Sequence, residues 1–276
     1  KDKDKDKDKD KDKDKDKDKD PVLDKDFIFD NFSEITADEL KDLVSKMSNK
    51  FCCLDPIPAF LLKNCVAELT PILLHVLNSS LKTGIFPSDM KKAVIKPTLK
   101  KENADVDILS NYRPVSNLSA FSKVLERIVL NQLNVHLTTH SLYSDVQSGY
   151  RPNHSCETLL VRMCDDLNKE IEAGNVVIVV LLDLSAAFDT IDHTVLLEKL
   201  MKDYGITGSA LQWIKSYLEK RHFCVKIDDT LSTFLELLFG VPQGSLLGPI
   251  LFILYIKALQ KIAAKYGLPN LVFQWL

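Results

Sequence analysis

Asp183 closes a run of seven apolar residues, Val176-Val177-Ile178-Val179-Val180-Leu181-Leu182, most of them β-branched. Such a run predicts a strand buried on both faces. Its end places a carboxylate at the rim of a sheet. A bare charge there is costly unless it is paired or holds a cation. The chain then turns out of the sheet and carries an aromatic, Phe188, and a second acid, Asp189. Further on comes Gly240-Val241-Pro242-Gln243-Gly244-Ser245-Leu246-Leu247-Gly248-Pro249, a rigid polar turn opening an apolar helix. A carboxylate at a strand end together with a Pro-Gln-Gly turn suits a site that binds a metal and a nucleotide.

Four motifs in order carry a family resemblance. They are Asn111-Tyr112-Arg113-Pro114-Val115-Ser116-Asn117-Leu118, then Gln147-Ser148-Gly149-Tyr150-Arg151-Pro152 with Ser155. Leu182-Asp183-Leu184-Ser185-Ala186-Ala187-Phe188-Asp189 and Gly240-Val241-Pro242-Gln243-Gly244-Ser245 follow. Over roughly Phe86 to Pro269 the chain resembles the reverse transcriptases of non-LTR (LINE-type) retrotransposons. The resemblance implies an α+β, right-hand polymerase fold: fingers, then a partial palm of antiparallel strands on helices, with the thumb absent. It implies RNA-directed DNA polymerase chemistry on an RNA template and DNA primer. Deoxynucleoside triphosphates would be the substrates and Mg2+ or Mn2+ the cofactor.

Residue by residue, the resemblance makes Asp183 the first metal ligand, with the backbone carbonyl of Leu184 facing the same ion. A divalent cation there would polarise the α-phosphate and stabilise the leaving oxygens. Phe188 matches the aromatic that lies under the sugar and excludes a 2′-hydroxyl by steric conflict. Arg151 is expected to reach the triphosphate, because a planar, permanently charged guanidinium suits phosphate oxygens. Arg113 follows the same logic, or serves a structural Arg-Pro turn. Gln243 is expected beside the nucleotide, with Pro242 and Gly244 fixing the turn and Gly244 permitting close backbone approach. Asp189 and Asp192 are read either as outer acids of the site or as caps of the helix after Ile191. Lys96 and Lys100 either contact template phosphates or form a solvated face.

Two departures stand out. Lys257-Ala258 follows Tyr255-Ile256, where the family usually has Asn-Asp. The family's aromatic-Ala-Asp-Asp hairpin should follow the helix after Gln243. Here Lys265-Tyr266-Gly267-Leu268-Pro269 is similar to its approach, but Asn270-Leu271-Val272-Phe273-Gln274-Trp275-Leu276 comes next. Glu236 is the last acidic residue. Two-metal phosphoryl transfer needs several converging carboxylates. The expectation for these residues alone is therefore no primer extension and weak, salt-sensitive nucleic-acid binding. A remnant that at most binds nucleic acid or a partner is the alternative reading.

The length of 276 residues and apolar share of 45% allow a sizeable core. Residues 1–20 are a pure Lys-Asp repeat; without it the body holds 26 basic and 29 acidic residues. That balance counts against tight, autonomous nucleic-acid binding, although Lys91, Lys92, Lys96, Lys100 and Lys101 cluster. The six cysteines include no Cys-x-x-Cys pair and read as reduced thiols. With no secretory signal and no span-length apolar run, an intracellular protein, nuclear or cytoplasmic, without membrane insertion is expected.

Along the chain, the repeat at 1–20 buries nothing in either helix or strand and is expected to be disordered. A linker and helical extension follow over 21–85, the fingers over 86–175 and the partial palm over 176–276. Thr36-Ala37-Asp38-Glu39 is a capping box that predicts a helix start. Further helices are predicted at about 58–65, 67–82, 119–136, 155–173, 192–203 and 209–220, with a stop at Gly84. Ala93-Val94-Ile95 predicts a short strand. The alternation of Phe223, Val225 and Ile227 before Asp228-Asp229 predicts a hairpin leading into the Pro-Gln-Gly turn.

Overall fold

Local signals place the first helices. Thr36 accepts a hydrogen bond from the Glu39 amide, and the Glu39 carboxylate accepts from the Thr36 amide, so the capping box starts α1 (Ala37–Ser45). After α2 (Ala59–Asn64), α3 (Val66–Thr83) ends on Gly84, whose left-handed backbone donates back to Ser80. This computed structural model describes residues 27–49, 52–151, 153–181, 184 and 186–267. The Lys-Asp repeat and Asp183 lie outside the described residues.

Two strands follow, β1 (Lys92–Leu99) and β2 (Tyr112–Leu118). β1 runs well past the three residues expected. Three helices come next, α4 (Ala120–Thr139), α5 (Cys156–Glu172) and α6 (His193–Tyr204), then α7 (Gly208–Leu218). The remaining strands are β3 (Arg221–Ile227), β4 (Thr230–Leu231) and β5 (Leu235–Leu237), before α8 (Gly248–Lys265). The α+β class is as expected. The sheet, however, is mixed rather than purely antiparallel. β1 pairs antiparallel with β2 but parallel with β3, with Lys92 opposite His222 and Ile95 opposite Val225. β5 and β4 add antiparallel partners to β3.

The helices bury one core beside this sheet. α3 packs on α7, α7 on α6, and α6 on α8. Trp213 is fully buried at the centre of an aromatic group. Its ring stacks on Tyr217 with centroids 5.7 Å apart and meets Phe32 and Phe86 edge-on at 5.6 and 5.3 Å. Its indole N–H donates to the Ser80 hydroxyl at 3.0 Å, which removes the polar cost of burial.

The apolar run before Asp183 departs most from expectation. Residues 176–181 form no strand, and Val176, Ile178 and Leu181 are 93%, 84% and 84% exposed. A doubly buried strand needs hydrogen-bonding neighbours on its edges and cover on its faces. Among the described residues no strand pairs with this run. The helix before it shares its state: α5 forms close to the predicted 155–173, capped by Ser155, but none of its residues is buried.

Candidate nucleotide-binding site

Four chain segments meet around the Pro-Gln-Gly turn. Gly240 brings the chain in, with its amide donating to the Ile191 carbonyl at 2.8 Å. Its own carbonyl accepts from His193 Nε2 at 2.7 Å, and the Val241 amide donates to the Phe188 carbonyl at 2.9 Å. Gly240 has φ +80°, and a Cβ there would lie 2.5 Å from the Phe188 carbonyl oxygen and 2.7 Å from Asp189 Cα. Only glycine permits this approach. On the far side, the Ser116 amide of β2 donates to the Gln243 carbonyl at 2.7 Å. Gly244, at φ +118°, would place a Cβ 2.6 Å from the Ser116 carbonyl oxygen. The turn is thus clamped between β2 and the segment 188–193.

Held this way, the Gln243 side chain donates from Nε2 to Asp189 Oδ2 at 2.9 Å. Both line a cavity of about 30 Å³, with Ser116, Pro114, Arg221 and Pro242 among its walls. Burial pushes the Asp189 carboxyl above its usual range, and the bond from Gln243 partly opposes that. A proton is therefore held more tightly in the folded state than in the unfolded chain. The associated stability is present at low pH and is lost as pH rises through the folded pKa. Gln243→Ala removes the opposing bond, so the Asp189 pKa is expected to climb further. Carboxyl-carbon NMR titration of the two proteins checks this; an unchanged or lower Asp189 pKa would contradict it.

Two buried ionisable side chains, Glu126 and Arg221, underlie the turn. Glu126 on α4 is fully buried; its Oε2 accepts from the Leu246 and Leu247 amides at 2.7 and 3.3 Å, and its Oε1 from the Ser122 hydroxyl at 2.9 Å. Burial pushes its carboxyl up, while the Arg221 guanidinium and these donors pull it down. Arg221 is 1% exposed, donates from Nη1 to the Tyr217 carbonyl at 3.0 Å, and lies over the Tyr217 and Phe86 rings at 4.6 and 5.6 Å.

The other expected site residues are dispersed. Phe188 is buried in the core, with its ring 5.3 Å from that of Phe252, and is not among the cavity's walls. Arg151 donates from Nη1 to the carbonyls of Ser144 and Gln147 at 2.8 and 3.2 Å and sits 5.7 Å from the centre of the Tyr143 ring. Arg113 is exposed on β2, opposite Thr98, and Lys96 and Lys100 are exposed along β1 and its end. Asp192 caps α6 by accepting from the Val195 amide at 3.0 Å, the structural alternative given for it above. Leu184 is about half exposed, and Asp183 falls outside the described residues. Among the described residues no cluster of three or more His, Cys, Asp or Glu side chains is placed to hold a metal ion. All six cysteines are free.

Glu126 and Arg221 escaped the reading of motifs. A signal existed for Glu126: Ser122, Glu126, Val129 and Leu133 recur at helical spacing, so an acid sits within an apolar stripe. Arg221 opens β3 in phase with Phe223, Val225 and Ile227, but an arginine at a strand's first position is ordinarily exposed, so its charge gave no sign of burial.

The chain belongs to the reverse transcriptase (RNA-dependent DNA polymerase) family, whose profile matches residues 98–273. It is 33% identical, over 64% of its length, to the probable RNA-directed DNA polymerase from transposon BS of Drosophila melanogaster. It is 31% and 32% identical to the RNA-directed DNA polymerases from mobile element jockey of Drosophila melanogaster and Drosophila funebris, over 80% and 85% of its length. The motif resemblance to non-LTR retrotransposon enzymes is borne out. The chain spans 19% to 25% of the length of these relatives. Among the described residues no helix is long and apolar enough to cross a membrane.

Proposed function

We propose that this chain is the nucleotide-binding part, fingers and partial palm, of an RNA-directed DNA polymerase of a mobile element. The reading rests chiefly on one observation: the Gln243–Asp189 bond, with Ser116 clamped to the Gln243 carbonyl. It joins three of the four sequence motifs at one cavity, although they lie far apart in the chain. An RNA template, a DNA primer and deoxynucleoside triphosphates are the partners this implies. Asp183, with the Leu184 carbonyl, would hold a Mg2+ or Mn2+ ion that stabilises charge on the phosphate oxygens. Asp189, six residues on, is an exposed carboxylate that accepts from the neutral Gln243 amide, and a hard oxygen donor of this kind is chemically suited to such a cation. Gln243 orients Asp189, and the clamp keeps the cavity in place. Arg151 and Arg113 are the guanidinium groups proposed for phosphate contact, and Phe188 the aromatic beneath the sugar.

Isothermal titration with a deoxynucleoside triphosphate and Mg2+ tests the proposal. Metal-dependent binding is expected, weakened by about tenfold or more in Asp183→Asn, since a lost metal ligand removes much of the charge compensation. Equal binding by wild type and Asp183→Asn, or none by either, would overturn it.

A further inference from the structure

We infer that Glu126 is a positioning residue for the nucleotide site, acting through the Pro-Gln-Gly turn by the reach of its side chain. This deepens the proposed function and rests on it. The turn carries Gln243 on one limb and leads into α8 on the other. A helix start leaves amides without intrahelical acceptors. Here the two amides just before α8, Leu246 and Leu247, are answered by a carboxylate from α4, 120 residues earlier in the chain. The acceptor is held on its other oxygen by Ser122, so it has little freedom to swing. Ser245 adds a local bond, its hydroxyl accepting from the Gly248 amide at 2.9 Å. The exit of the turn is thereby fixed to α4, while the Ser116 amide fixes Gln243 to β2. Ala120, the first residue of α4, directly follows Ser119 beyond the end of β2. One continuous segment, β2 to α4, therefore grips both limbs of the turn.

A purely charge-balancing role for Glu126 is the competing explanation, because Arg221 lies near it in the same dry interior. Two conservative variants separate the explanations. Glu126→Gln loses the charge but keeps the reach: its carbonyl can face the Leu246 and Leu247 amides and its NH2 group can donate to Ser122. Glu126→Asp keeps the charge opposite Arg221 but is one methylene short of the amides.

The experiment measures native-state hydrogen exchange at Ser116, Leu246 and Leu247 without ligand, then affinity for a deoxynucleoside triphosphate with Mg2+. If reach governs, Glu126→Asp speeds exchange at all three amides by about tenfold or more and weakens nucleotide binding, while Glu126→Gln stays near wild type. If charge governs, the order reverses, and the inference is overturned. It is equally overturned if exchange changes at Leu246 and Leu247 but not at Ser116, since Glu126 would then only cap α8. Absence of nucleotide binding by the wild type would count against the proposed function. The exchange order at Ser116 would still decide whether Glu126 places the turn.

Discussion

Replacing Trp213 by alanine is expected to cost the fold about 3–5 kcal/mol, the range for deleting a large, fully buried aromatic. The indole is the hub between the N-terminal segment at Phe32, the loop at Phe86 and α7 at Tyr217. Its loss leaves a void that three separate segments would have to close together, and it strips the Ser80 hydroxyl of its donor. For a body of this size such a loss lowers the melting temperature by roughly 10 °C. Calorimetry on wild type and Trp213→Ala measures it. A shift of only a degree or two would mean that the aromatic group is not the centre of the core.

The second large effect is expected at Gly240. Gly240→Ala meets two penalties at once. The left-handed backbone at φ +80° costs an L-residue about 1–2 kcal/mol. The new Cβ would also press on the Phe188 carbonyl oxygen and Asp189 Cα at 2.5 and 2.7 Å, neither of which can rotate away. Overpacking of this kind adds about 1–3 kcal/mol. Gly174→Ala is the internal control: it sits at φ +82° with nothing within 4 Å of the added atom, so it carries the backbone penalty alone. Denaturant melts of the two variants isolate the steric part. Gly240→Ala should also separate Asp189 from Gln243 and weaken nucleotide binding, whereas Gly174→Ala should leave binding as it was. Equal destabilisation by the two would refute the close approach at Gly240.

These effects show which parts of the molecule can be read from local sequence. The Thr36 capping box and the stop at Gly84 are decided within a few residues, and both helix ends fall where those residues place them. The turn at 240–244 was legible too, because glycine and proline there answer a local backbone requirement. Longer-range matters were not. The apolar run at 176–181 has the composition of a buried strand, but composition says nothing about which strand would lie beside it. Phe188 was identified by its spacing from Asp183, yet spacing does not orient a ring, and it points into the core against Phe252. β2 contains Pro114 and polar residues, and it is the antiparallel pairing with β1 that makes it a strand. Glu126 is the sharpest case. Its importance comes from two amides 120 residues away, which no window on α4 contains.

The parallel pairing of β1 with β3 bears on how the chain acquires its structure. Lys92 waits for His222, and Ile95 for Val225. Loops of that length close slowly, and topologies rich in distant contacts fold late. On the ribosome, the intervening segment takes on the order of ten seconds to synthesise. During that interval the inner edge of the β1–β2 hairpin has no neighbour and is open to mispairing. The cavity beside Gln243 lies along this same seam, with walls from β1, β2 and β3, so it should mature only when the last strand docks.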